Sequence, residues 1–131
     1  MIEQSSDKEE ILKALSKKIL NVNEIGNILS NSDSLPTNLV EELSLAAALS
    51  YWNGQISYRE GDCIMNNLFI YWSTNDSFSE QFEFPAAAWE CYEAFDSGEF
   101  YRDKNEDSSD PSVKYTKPLV ESMLKKRNLI R

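Results

Sequence analysis

Ser57-Tyr-Arg-Glu60-Gly-Asp-Cys-Ile64-Met65-Asn-Asn-Leu68-Phe69-Ile-Tyr71-Trp72 decides how the rest of the chain is read. Ser57 and Glu60 have the S-x-x-E spacing of a capping box: the serine hydroxyl accepts an orphan N–H of the first turn, and the glutamate accepts the serine's own N–H. Behind that cap, Ile64, Met65, Leu68, Phe69 and Trp72 recur in steps of three and four, which is the period of a helix. Ser73-Thr-Asn-Asp-Ser77 then reads as a loop.

The same signals repeat outward from this segment. Gly54 stops a preceding helix that carries Leu39, Val40, Leu43, Ala46, Ala47 and Leu49, with Asn38-Leu-Val-Glu41 as its predicted cap. Ile25, Ile28 and Leu29 predict a shorter helix that fades into Ser30–Ser34 and Pro36. Ser6-Asp-Lys-Glu9 predicts a cap before the stripe Ile11, Leu12, Leu15 and Ile19. Downstream, Pro85 suits the first turn of a helix running through Ala86, Trp89, Tyr92 and Phe95 to Gly98, with Trp89, Tyr92 and Phe95 predicted to face inward. Residues 102–112 read as a mobile loop, and Val113–Thr116 as extended or one helical turn. Pro118 opens a last helix with Leu119, Val120, Met123 and Leu124, and Lys125, Lys126 and Arg127 fall where cations meet the negative dipole end. Strand signals are short: Gln55–Tyr58 and Glu80–Phe84 alternate, but each abuts a helix start. Residues 1–131 are expected to form a single domain, an all-α, compact bundle of five or six helices, since about 100–200 residues make one domain.

Composition excludes several function classes. No window approaches the ~18 apolar residues of a membrane span, and the polar, acidic start Met1–Asp7 resembles neither a signal nor a transit peptide. Cys63 and Cys91 are too few for a secreted disulfide scaffold and read as buried structural thiols. These features predict a soluble, cytoplasmic protein that does not engage a membrane. The chain has no His, so the commonest general base and metal ligand are missing and no Ser-His-Asp or Cys-His arrangement is possible within it. Neither G-x-x-x-x-G-K-[ST] nor G-x-G-x-x-G occurs. Asp103-Lys-Asn105-Glu-Asp107-Ser-Ser-Asp110 begins like a calcium loop, but Ser108 and Lys114 stand where the turn glycine and the bidentate glutamate are required. No catalytic residue, metal or cofactor is expected, and an enzyme working through carboxylates alone is the least supported reading.

Charge carries the functional expectation. The net charge is −9, from 13 basic and 22 acidic residues, which argues against binding nucleic acid. Residues 19–101 hold 13 acids and a single base, Arg59, while all 15 aromatics lie after residue 50 and 14 of them between Tyr51 and Tyr101. An acidic body of this kind attracts a cationic protein and speeds encounter. Asp76, Glu80, Glu83, Glu90, Glu93 and Asp96 are the predicted acidic contacts, with Tyr71 and Trp72 as aromatic anchors, one of the two pointing outward. Reversal of Glu90 and Glu93 to Lys is expected to spare the fold and weaken binding.

With its acid- and aromatic-rich run from Glu60 through Phe100 and the capped helices around it, the chain resembles the bacterial immunity proteins that protect against colicin-type and contact-dependent growth-inhibition toxins. The resemblance is one of overall character, without a residue motif. It implies a cytoplasmic, non-enzymatic inhibitor in a one-to-one complex with a basic toxin domain, often a nuclease. A phage-encoded nucleic-acid mimic that blocks a host nuclease belongs to the same physical class. The alternative is a helical adaptor or scaffold domain whose acidity serves solubility. Salt separates them, because an electrostatic inhibitor loses on-rate steeply as salt is added and an apolar groove does not.

Overall fold

A computed structural model of the protein describes residues 3–29, 36–74, 84–98 and 112–130. Among these residues the chain forms six α-helices and no strand: α1 (Glu3–Leu15), α2 (Val22–Leu29), α3 (Pro36–Trp52), α4 (Tyr58–Ser73), α5 (Ala86–Asp96) and α6 (Lys117–Lys126). A π-helical turn, Ser112–Thr116, leads directly into α6. The all-α bundle that the periodicity predicts is therefore the observed fold. None of the helices among the described residues is long and apolar enough to cross a membrane.

Local chemistry sets the helix ends. The capping box of α4 forms as predicted: Ser57 Oγ accepts from Glu60 N at 3.1 Å, and Glu60 Oε1 accepts from Ser57 N at 2.8 Å. Gly54 ends α3 in the left-handed region, φ 77°, and lets Gln55 N reach back to Ser50 O at 2.8 Å. A second reciprocal box starts α2, where Asn21 Oδ1 accepts from Glu24 N and Glu24 Oε1 from Asn21 N. Two predicted caps fall inside helices instead. Helix α1 already begins at Glu3, upstream of Ser6, and α3 begins at Pro36, whose missing N–H costs nothing in the first turn, upstream of Asn38. The first stripe also ends early. Helix α1 stops at Leu15, and the turn after it leaves Ile19 exposed and buries Leu20. Val113–Thr116 belongs to the π-turn. The loop over 102–112 lies outside the described residues, apart from Ser112 at the start of that turn.

Helices α3, α4 and α5 pack on one another, with α6 against α3 and α5, and α1 and α2 against α4. One apolar cluster runs through all six, including Leu15, Ile25, Leu43, Ile64, Leu68, Phe95 and Leu124. Two residues set how the helices meet. Gly61 of α4 faces Phe95 of α5 so closely that an added Cβ would lie 2.4 Å from Phe95 Cε1. Asn67 of α4 is fully buried and clamps the α1–α2 turn: Oδ1 accepts from Leu20 N at 2.9 Å, and Nδ2 donates to Leu15 O at 2.9 Å and Lys18 O at 3.0 Å. A buried side chain with all its polar atoms engaged avoids the ~1–3 kcal/mol cost of an orphan group.

The two helical glycines with different surroundings should respond oppositely to alanine. Gly26→Ala places its Cβ no closer than 3.9 Å to Tyr71 Cε1, so it should gain ~0.5–1 kcal/mol of helix stability. Gly61→Ala has the same helical advantage but must push Phe95 out of its site, and overpacking costs ~1–3 kcal/mol. Urea unfolding of both variants checks the sign; equal shifts would show that Phe95 yields freely.

Candidate partner interface on helix α5

Helix α5 buries Ala87, Ala88, Cys91, Ala94 and Phe95. The residues on the other side, Ala86, Trp89, Glu93 and Asp96, are exposed and follow one another at steps of three or four, so they form a single outward stripe. Trp89 is 41% exposed, which corrects its predicted place in the core. Its ring is nevertheless held. It stacks on Tyr92 at 5.6 Å between centroids, Tyr92 stacks on Phe69 of α4 at 4.5 Å, and Phe84 meets Trp89 edge-on at 6.2 Å. Such contacts contribute ~0.5–1.5 kcal/mol each beyond area, so the exposed indole is preorganised.

The predicted anchors lie elsewhere. Trp72 is only 4% exposed and packs edge-on against Phe84 at 5.7 Å, so it is a core residue. Tyr71 is half-buried over Gly26 of α2, and burial raises its hydroxyl above the ordinary tyrosine range. Of these aromatics Trp89 is the exposed one. Glu93 and Asp96 stand on the outward stripe as predicted, whereas Asp76, Glu80 and Glu83 lie outside the described residues.

Glu90 is engaged within the molecule. Lys126 Nζ lies 2.6 Å from its Oε2, and Arg127 Nη2 pairs with its Oε1. Both cations come from the end of α6, after which the chain turns back: Asn128 adopts φ 62° and Leu129 N reaches Leu124 O at 2.9 Å. The hydrogen bond from Lys126 holds the Glu90 carboxyl below its ordinary range; burial opposes this, and Arg127 adds to it. Reversal of Glu90 to Lys would thus set three cations together, so at this position it removes an internal ion pair as well as a surface carboxylate. Beside the pair, a groove of about 190 Å³ between α5 and α6 is lined by Glu93, Ala94, Leu119 and Met123 as well as Glu90 and Lys126.

The arrangement offers recognition chemistry. Among the described residues, no group of three His, Cys, Asp or Glu could hold a metal ion, and the stretch resembling a calcium loop lies outside them. Cys91 is buried, as predicted, and burial pushes its thiol up to about 12. Cys63 is half-buried; desolvation and Asp62 raise its thiol, with Arg59 opposing.

Iodoacetamide at pH 8 should therefore modify Cys63 slowly and leave Cys91 untouched until the protein unfolds, with peptide mass spectrometry as the check; alkylation of Cys91 in the folded state would contradict the packing. The Glu90 contact makes a second prediction. A carboxyl held low in the folded state adds stability above its unfolded value, ~4.3, and loses it as pH falls through the folded value. Glu90→Gln should lower stability at pH 7 by no more than ~1 kcal/mol, because the pair is part-exposed, and should flatten the acid limb of a stability–pH curve. An unaltered acid limb would remove Glu90 from that role. No family model, curated protein or solved structure matches the chain.

Proposed function

We propose that the protein is an acidic, non-enzymatic inhibitor that binds one basic protein one-to-one in the cytoplasm, with the outward stripe of α5 as its contact surface. The partner that fits is a toxin domain, a nuclease above all, because an enzyme acting on a polyanion carries a basic cleft. The observation that supports this reading is the juxtaposition of a rigid, exposed Trp89 with Glu93 and Asp96 on one helix face. Binding energy concentrates in a few aromatic anchors, and surrounding charges steer the encounter. The indole stacked on Tyr92 gives up little freedom on binding, so less of its contact energy is lost to ordering. The −12 balance of residues 19–101, from 13 acids and one base, supplies the long-range attraction.

The test uses three tagged proteins, the wild type, Trp89→Ala and Glu93→Lys/Asp96→Lys, each exposed to lysate of the source cells and eluted with a salt gradient. Wild type should retain a single basic protein at equal stoichiometry. Trp89→Ala should weaken that complex by about thirtyfold, the equivalent of a ~2 kcal/mol hot spot. The double reversal should slow association and reduce its salt dependence. The captured partner should degrade nucleic acid when free and lose that activity on adding wild type alone. Equal capture by all three proteins, or only neutral partners with salt-independent binding, would reject the reading and favour an adaptor.

A further inference from the structure

The only base of the acidic middle segment, Arg59, does not stand alone in space. It is exposed in the first turn of α4 and lines a cleft of about 460 Å³ with Ser16, Lys17, Lys18 and Ile19 of the α1–α2 turn. Asp62, Cys63 and Asn66 complete that wall of α4, and with Arg59 they fall at i, i+3, i+4 and i+7, one stripe of the helix. Three cations and one carboxylate thus line one cleft, in a protein whose net charge is −9.

We propose that this cleft binds a small phosphorylated molecule carrying at least two negative charges. The size lies within the ~300–1,000 Å³ of small-molecule sites. Arg59 offers a planar fork that matches phosphate oxygens, and Lys17 and Lys18 add point charges from the opposite wall. The cleft is also built rather than incidental. Asn67, one turn along α4 from Cys63, fixes the carbonyls of Leu15 and Lys18 and the N–H of Leu20, so the lysine-bearing turn is held in place before a ligand arrives. Arg59 lies in the first turn of α4, and Lys17 and Lys18 line the same cleft from the α1–α2 turn. Glu60, the nearest acid on that turn outside the cleft, is tied into the capping box. At physiological salt the Debye length is ~8 Å, so acids a helix diameter away, ~10–12 Å, repel a compact anion only weakly. A long polyanion would run onto the acidic surface beyond the cleft, and this favours a small ligand.

Inorganic pyrophosphate is the first probe, titrated into ¹⁵N-labelled protein at fixed ionic strength, with polyglutamate and a short single-stranded DNA in parallel. Pyrophosphate should saturate, shift the amides of Lys17–Ile19 and Arg59–Asn66, and slow alkylation of Cys63. Arg59→Ala and Lys17→Ala/Lys18→Ala should each weaken it by about tenfold or more with an unchanged thermal transition, while Glu93→Lys/Asp96→Lys should leave it intact. Shifts that never saturate, or that centre on Lys125, Lys126 and Arg127, would overturn the proposal. Binding of polyglutamate or DNA without pyrophosphate would overturn it too, making the cleft a macromolecular docking surface.

Discussion

The close approach of Phe95 to Gly61 is the constraint on which the placement of α5 depends. A side chain of any size at position 61 would occupy the space of the phenyl ring. With that space open, Phe95 is fully buried, stacks on Tyr58 at 5.8 Å and meets the edge of Tyr51 at 5.1 Å, joining α3, α4 and α5. Tyr58 seals the contact by donating its hydroxyl to Phe95 O at 2.6 Å. Because the inward side of a helix fixes its outward side, locking Phe95 inward also orients Trp89, Glu93 and Asp96 outward. The neighbouring carbonyl, Ala94 O, accepts from the buried Thr116 Oγ1 at 2.7 Å. That bond seats the π-turn and starts α6 where its last turn can deliver Lys126 and Arg127 to Glu90.

A second constraint organises the other end of the molecule. Asn67 is a polar residue on a helix face otherwise occupied by Ile64, Met65, Leu68 and Trp72. The α1–α2 turn explains the asparagine. Its backbone N–H and carbonyls enter the protein without a helix or sheet to satisfy them, and each would cost ~1–3 kcal/mol if left unpaired. One amide side chain satisfies three such groups. The same bonds hold in place the turn that carries Lys17, Lys18 and Ile19, which forms one wall of the cationic cleft.

The helices were legible because their signals are local: a serine and a glutamate three apart, a glycine at a helix end, a proline in a first turn. Which aromatic faces outward was not, and α5 shows why. Trp89, Tyr92 and Phe95 are spaced at i, i+3 and i+6, and with ~3.6 residues per turn such a series drifts around the helix until its ends no longer share a face. The buried stripe is Ala88, Cys91 and Phe95, at i, i+3 and i+7, which stays on one side but is written mostly in small residues. The aromatic pattern was louder than the true one. Trp72 lies four and eight residues beyond Leu68 and Ile64, in the middle of the buried face, so the stripe that places it in the core outweighs its expected role as an anchor. Asn67 and Gly61 gave no separable signal, because their roles depend on groups tens of residues away in the chain.

Charge required the same correction from sequence to space. Counted along the chain, Glu90, Glu93 and Asp96 are equivalent acids on one helix. Folded, Glu90 is paired with two cations from the end of α6, while Glu93 and Asp96 stand on the exposed stripe of α5. The single base of the acidic middle, Arg59, is gathered with Lys17 and Lys18 into one cleft. A net charge of −9 therefore sets the sign of the far field, which governs encounter, but says little about any one contact. Specificity at the proposed interface then falls to the exposed carboxylates beside Trp89, since a charge already paired within the protein must lose its partner before it can gain another.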